Sequence, residues 1–252
     1  MIRILVLGAT GSLGRHIVQQ ALLANQEVSV LVRNPSKLSP EVRDRVMVHQ
    51  ADLAKAPLAK LADIFRNHTV VINAAGTVTE GQLFVDLVDR VIASLEAIPG
   101  KDQPVSWFMA GAALLDLDDR GRRGVDLPFV SSTYWPHRVN FERISQTSLD
   151  WRILCPGPMV DEPPLGVARM RVSTDRLPVQ IPSIVESLPA PLVLPFFVDR
   201  VPEMIVSYTD AAAVLLANLT PGGAMTRHRV GLALPIGIRG MKKQWAAKPN
   251  QQ

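Results

Sequence analysis

Apolar runs of four to six residues alternate along this chain with stretches whose apolar positions recur at three- and four-residue spacing. Residues 2–7 form the first run, and Ile17, Val18, Ala21 and Leu22 then repeat at helical spacing as far as Asn25. Glu27–Val32, residues 46–49, Val70–Asn73, Val105–Met109 and Trp151–Cys155 read as further strands. Between them, Leu58, Leu61, Ala62 and Phe65 predict a short helix. Leu83, Phe84, Leu87, Val88, Val91, Ile92 and Leu95 predict a long one, and residues 141–149 another. Near-continuous apolar strands separated by helices predict an α/β fold, a doubly wound parallel sheet covered on both faces.

The rhythm changes after Cys155. Ten of the chain's 20 prolines fall between Pro156 and Pro202, and proline removes backbone donors needed by helices and central strands. This stretch is expected to be mostly loop with short helices, forming a lid or substrate lobe on the side where the strands' carboxyl ends lie. Its residues 188–198 are apolar and suit an apolar substrate, a partner subunit or simple packing. Thr209 and Asp210 read as an N-cap before a helix over 211–219, and 230–234 as a last strand. The predicted organisation is a core over 1–157, a lobe over 158–240 that returns to the core, and a basic tail over 241–252, all in one compact domain.

Composition narrows the class. Of 252 residues 47% are hydrophobic, so the chain can fill a sizeable core. The single cysteine, Cys155, allows no internal disulfide and fits a reducing cytoplasm. The start of the chain reads as a strand, not a leader, and no apolar stretch has the length of a membrane span. Net charge is +4, with Arg227, Arg229, Arg239, Lys242, Lys243 and Lys248 near the end. These read as a solvated tail, because no aromatic-interleaved basic face for nucleic acid accompanies them.

The chemistry concentrates where the first strand meets the first helix, in Gly8-Ala9-Thr10-Gly11-Ser12-Leu13-Gly14. A helix N-terminus presents unpaired N–H groups and a partial positive charge, which suit a phosphate. Gly8 permits a sharp turn, Gly11 permits backbone to approach a pyrophosphate, and Gly14 permits the helix to sit close on the strand. The second strand ends in Arg33, with Ser36 and Lys37 behind it and Arg15 on the glycine turn. NAD sites place a carboxylate at that strand end, whereas a guanidinium can hold a 2′-phosphate in a bidentate fork. The expected cofactor is therefore NADP(H) in preference to NAD(H).

GATGSLG, LVRNPSK, ADL, INAAG and LDWRILCPGPM together resemble the atypical short-chain dehydrogenase/reductase superfamily, in its NAD(P)H-binding, NmrA-like and flavin-reductase-like branches. The resemblance is loose over 112–130 and 163–205. It implies a Rossmann fold with a small C-terminal substrate lobe, and a cofactor site including Gly8, Thr10, Gly11, Ser12, Leu13 and Gly14. It further implies that Arg33, with Lys37 near it, takes the 2′-phosphate, that Asp52 and Leu53 contact adenine, and that Ala74, Ala75 and Gly76 line the ribose. Pro156 and Gly157 would lie near the nicotinamide, and Asp210, although in a recurrent segment, reads as structural.

Catalytic machinery departs from the pattern. Reductases of this superfamily combine Tyr-x-x-x-Lys with a serine at the end of the fifth strand. Here Tyr134 is followed by Arg138 in place of lysine, and the serine position falls on Ala110 or Gly111. Ser131, Ser132 or Thr133 could supply a hydroxyl instead. Tyr134 reads as a general acid, as an aromatic closing the pocket or as part of a helix start, and Arg138 as its charged partner. His137, beside Tyr134, could assist protonation but reads first as a surface helix histidine, Glu142 reads as the pair of Arg138, and Cys155 as inert core. The histidines have no metal spacing.

These residues predict an NADP(H)-dependent oxidoreductase acting on a small, partly apolar acceptor such as a quinone, flavin or carbonyl. The missing serine keeps open a non-catalytic NADP(H)-binding redox sensor, with a protein partner or second copy on the proline-rich segment. A sugar-nucleotide epimerase or dehydratase is a third reading, disfavoured by the small lobe.

Overall fold

The computed structural model describes residues 2–241. The first half alternates as the hydrophobic pattern predicts. β1 (Arg3–Leu7) leads through α1 (Ser12–Leu23) to β2 (Glu27–Val32), and a short α2 (Pro40–Arg43) precedes β3 (Met47–Gln50). Then come α3 (Leu58–Arg66), β4 (Val70–Asn73), α4 (Gln82–Glu96), β5 (Val105–Met109), α5 (Val130–Ser145) and β6 (Trp151–Cys155). The second half adds β7 (Met159–Val160), β8 (Arg171–Thr174), α6 (Ala190–Arg200), β9 (Val206–Ser207), α7 (Tyr208–Leu216) and β10 (Arg229–Ala233).

Eight of these strands form one sheet in the order β3-β2-β1-β4-β5-β6-β10-β8, and β7 pairs with β9 outside it. All pairings in the large sheet are parallel except that of β8 with β10. The chain winds outward from β1 to β3, then crosses back to place β4 on β1's other side. That reversal opens a crevice at the carboxyl ends of β1 and β4, the position where such sheets bind ligands. One apolar layer packs α1 and α7 on one face, with Ile17, Val18, Ala211 and Leu215 buried against Ile4, Val6 and Ile72. The other face packs α3, α4 and α5, with Leu61, Phe65, Ile92 and Ile144 against Leu5, Leu7 and Val71. This is a Rossmann-type, doubly wound sheet.

Besides the short α2, β7 and β9, which the hydrophobic pattern does not predict, four elements differ from the sequence reading. α5 begins at Val130, well before residue 141, and carries Pro136 inside it. Proline removes one helical hydrogen bond, but Pro136, His137, Asn140 and Ile144 form a buried stripe along the helix that offsets the loss. The proline-rich stretch is also more regular than expected. β8 pairs antiparallel with β10 at the sheet edge, and α6 forms over 11 residues although Pro195 lies within it. Prolines are compatible with a first helical turn, which is where Pro191 stands. Finally, the cap of α7 is Ser207, whose hydroxyl accepts from the Asp210 N–H, so Thr209 and Asp210 lie inside the helix.

Three of the supposed tail cations are structural. Arg227 donates to the Ser148 carbonyl at 2.8 Å, and Arg239 to the Asp199 carbonyl at 2.7 Å. Arg229 is buried, forming a fork to both oxygens of Asp116 at 3.0 Å and donating to the Leu114 carbonyl at 2.7 Å. It also reaches Asp175 at 3.2 Å and lies 4.8 Å from the Phe141 ring centroid. Lys242, Lys243 and Lys248 lie outside the described residues.

Removing the guanidinium would leave the partly buried Asp116 carboxylate without its fork and Asp175 with His228 as its remaining side-chain partner, a loss of about 3 kcal/mol. Arg229→Met is expected to lower the urea unfolding free energy by that amount. Arg229→Lys should recover little, since one ammonium cannot form the fork. A loss below about 1 kcal/mol in Arg229→Met would mean that the cluster is solvated.

Candidate functional site

The glycine turn joins three elements at the crevice. Gly8 has φ +77°, and a Cβ there would stand 2.6 Å from the Ala74 carbonyl oxygen at the end of β4. A Cβ on Gly14 would overlap the Gly8 carbonyl, so this glycine sets the distance between α1 and β1. Gly11 differs. Its nearest neighbour would be the Gly8 oxygen at 3.3 Å, so its bareness serves the space outside the turn. It is also the N-cap of α1, with no side-chain cap and no acid in the first turn. Thr10, Gly11 and Ser12 are exposed, while Leu13 is buried beneath them. The turn is an open, uncapped cradle for an anion.

The other candidate cofactor residues follow successive strand ends. Arg33 is exposed after β2 and, among the described residues, makes no side-chain ion pair or hydrogen bond. A tight turn follows it, with the Asn34 side chain accepting from the Ser36 N–H at 3.0 Å and hydroxyl at 2.7 Å. Lys37 is exposed at the end of that turn. After β3, the Asp52 carboxylate accepts from the Ala54 N–H at 3.0 Å, and the Leu53 side chain is buried, leaving Asp52 the more accessible of the pair. After β4, Ala74 and Ala75 are partly open and Gly76, φ +88°, is pressed against the Phe84 ring. After β6, the Pro156 carbonyl accepts from the Ala112 N–H at 2.8 Å. A Cβ on Gly157 would stand 2.5 Å from the Met204 carbonyl, so that glycine serves packing. Arg15 does not reach toward Arg33. It is ion-paired with Asp161, beyond β7.

The residues considered for proton transfer lie on α5. Tyr134 is 36% exposed, and its ring stacks on that of His137 with centroids 5.9 Å apart. Arg138 points along the helix surface, with Nε 4.0 Å from the Glu142 carboxylate, as the sequence spacing predicts. Ser132 donates to the Phe129 carbonyl at 2.9 Å, and Thr133 is exposed. Ala110 and Gly111, after β5, contribute no hydroxyl.

His137 does not lie at the helix surface as its sequence reading has it. It is buried, with Phe84 edge-on at 5.8 Å, and its Nδ1 is enclosed with no hydrogen-bond partner. Its Nε2 faces Gly111, 3.6 Å from where a Cβ would be. Spacing along the helix gave no sign of this, because the burial comes from α5 starting before Pro136. Burial likewise pushes the Cys155 thiol up, which leaves it an inert core group. Asp210 is structural, its carboxylate accepting from the Leu165 and Gly166 N–H groups at 2.9 and 2.8 Å.

Burial lowers the His137 imidazole from 6.5 to about 4. Because the folded value lies below the unfolded one, the associated stability is complete above pH 6.5 and is lost as pH falls toward 4. The shift corresponds to about 3 kcal/mol. Unfolding free energies measured across this range should fall more steeply for the wild type than for His137→Gln. Parallel curves would show that the imidazole is solvated.

Two further features bound the site. A cavity of about 560 Å³ opens between residues 116–118 and 176–186, and none of the candidate cofactor or catalytic residues lines it. Among the described residues, no group of three or more His, Cys, Asp or Glu side chains could hold a metal ion, and no helix is long and apolar enough to cross a membrane.

Known proteins share this architecture. A Rossmann-fold NAD(P)-binding family protein from Shigella flexneri superposes with a TM-score of 0.65 at 17% identity, over 96% of this chain and 98% of that one. A protein provisionally named an NADH-flavin reductase, from Streptococcus pneumoniae, gives 0.67 at 17% identity, over 93% and 100%. An anaerobillin reductase from Escherichia coli O157:H7 gives 0.59 at 16% identity, over 93% and 98%. At these identities the likeness is one of fold. No curated protein sequence matches the chain. A family profile described as NAD(P)H-binding, however, matches residues 8–183, from the glycine turn into the lobe. In agreement with its resemblance to atypical short-chain dehydrogenases/reductases, the chain belongs to the NAD(P)H-binding family.

Proposed function

We propose that this protein is an NADP(H)-dependent oxidoreductase that reduces a small, partly apolar acceptor of the quinone, flavin or carbonyl class. The observation that carries the cofactor preference is Arg33, exposed after β2 and with its guanidinium in no ion pair or hydrogen bond among the described residues. A carboxylate at that strand end would favour a ribose hydroxyl, and a guanidinium favours a phosphate.

The residues present fit a dinucleotide. The uncapped first turn of α1 would hold the pyrophosphate, with Gly11 giving it room. Arg33 and Lys37 would hold the 2′-phosphate, Asp52 would meet the adenine, and Ala74–Gly76 the ribose. Pro156 and Gly157 would border the nicotinamide, which when bound supplies hydride. Tyr134 is open to solvent on one side and backed by His137 on the other. Its phenol would give its proton to the acceptor's oxygen, leaving a phenolate for solvent to reprotonate. Arg138, turned to Glu142, would act on Tyr134 only through its charge.

Two measurements test this reading. Fluorescence titration should show NADPH binding tighter than NADH, with Arg33→Ala weakening NADPH by about 10- to 100-fold and leaving NADH nearly unchanged. Equal wild-type affinities would remove the preference. In turnover assays with a carbonyl acceptor, Tyr134→Phe should lower kcat by about 10²–10⁴ while NADPH affinity holds. An unchanged kcat would make Tyr134 a pocket wall. NADPH binding without oxidation by any quinone, flavin or carbonyl would favour the redox-sensor reading.

A further inference from the structure

Reduction of a carbonyl places negative charge on its oxygen before the proton arrives, and a fixed hydrogen-bond donor there lowers the barrier. The carboxyl end of β5 offers no side-chain donor of its own, because Ala110 and Gly111 stand there. Of the hydroxyls that open α5, that of Ser132 is committed to the Phe129 carbonyl. Arg138 is turned toward Glu142. What does face the bare backbone of Gly111 is an imidazole nitrogen, His137 Nε2, 3.6 Å from the place of a Cβ; the Tyr134 ring edge is also close, at 3.9 Å.

We propose that His137, donating from Nε2 beside Gly111, is the hydrogen-bond donor to the acceptor's oxygen, alongside the proton-giving phenol of Tyr134. This rests on the oxidoreductase reading above and adds a residue to it. The ring is held for the task, with Tyr134 stacked on it at 5.9 Å and Phe84 set edge-on at 5.8 Å. Phe84 also packs against Gly76, which links the imidazole to the strand end proposed to line the cofactor ribose.

Only one tautomer suits these surroundings. Nδ1 is enclosed without a partner, and a proton there would be an orphaned donor. The proton therefore belongs on Nε2. Burial, which lowers the imidazole to about 4, keeps it neutral at physiological pH. A neutral imidazole donates its hydrogen bond without surrendering the proton, so proton transfer stays with Tyr134.

Gly111 provides the control. Its φ of −124° and ψ of 161° are extended backbone that serine adopts without strain. In His137→Ala, a serine at 111 would bring a hydroxyl into the vacated space. The experiment compares wild type, His137→Ala, and His137→Ala combined with Gly111→Ser. NADPH is the reductant, and 9,10-phenanthrenequinone and flavin mononucleotide are the acceptors. With the quinone, whose oxygen takes the charge, His137→Ala should lose about 10²–10³ in kcat, and Gly111→Ser should recover at least about tenfold. With the flavin, whose hydride lands on a ring nitrogen, the loss should stay below about tenfold. NADPH affinity should be unchanged in both variants.

A second readout needs neither turnover nor a variant. In protein labelled with 15N-histidine, the His137 signals should show Nε2 protonated and Nδ1 bare at neutral pH. The reverse tautomer overturns the proposal, as does an equal loss with both acceptors or the absence of rescue by serine. A wild type that binds NADPH but reduces neither acceptor overturns the oxidoreductase reading itself, and the role of His137 falls with it. A wild type active on both acceptors whose quinone turnover survives His137→Ala overturns only the role of His137.

Discussion

The guanidinium of Arg229 is the point on which the ligand-facing half of this molecule is assembled. It rises from the start of β10 and meets the loop after β5 through Leu114 and Asp116, the turn after β8 through Asp175, and α5 through Phe141. Desolvation opposes burying any of these charges, yet hydrogen bonds and opposite charges keep Asp175 below the usual carboxylate range and hold Arg229 protonated. Such a cluster contributes less to net stability than apolar packing could, but its fork fixes geometry. Three segments distant in sequence are thereby held in register against one sheet edge. α5, which carries Tyr134 and His137, is among them.

The other half of the site depends on close approach instead of charge. Gly8, Gly14 and Ala74 bring β1, α1 and β4 together with no room for a side chain between them. The result is rigid where backbone meets backbone and open at Gly11. The glycine turn and the α5 wall thus draw on separate structural supports. The turn follows from local steric rules, whereas the wall carrying Tyr134 and His137 follows from the long-range anchoring of α5.

That division explains what the sequence disclosed. β2, β4, β5 and β6 begin and end where the apolar runs do, because buried parallel strands need uninterrupted apolar residues. The glycine turn was legible for the same local reason. Less visible was anything decided by partners far along the chain. Pro136 reads as a breaker until its helix is seen to bury a stripe from Pro136 to Ile144. Arg229 and Arg239 read as solvated charge because Asp116, Asp175 and Asp199 lie far away in sequence. β8 was missed because one half-buried edge strand of four residues carries little pattern. His137 reads as a surface residue because nothing local distinguishes a buried helix histidine from an exposed one.

The ion pair between Arg15 and Asp161 joins the first helix, just past the glycine turn, to the segment after β7. Both side chains are more than half exposed, at 56% and 63%, so the pair is weak in water. Asp161 is in effect an internal counter-ion at the rim of a site shaped for phosphate. His16, one residue further along α1, also approaches the Asp161 carboxylate, at 3.5 Å, so the contact between α1 and this segment has two cationic ends of different permanence. Salt in the medium therefore loosens this bridge between the two halves of the chain sooner than it loosens the buried Arg229 cluster.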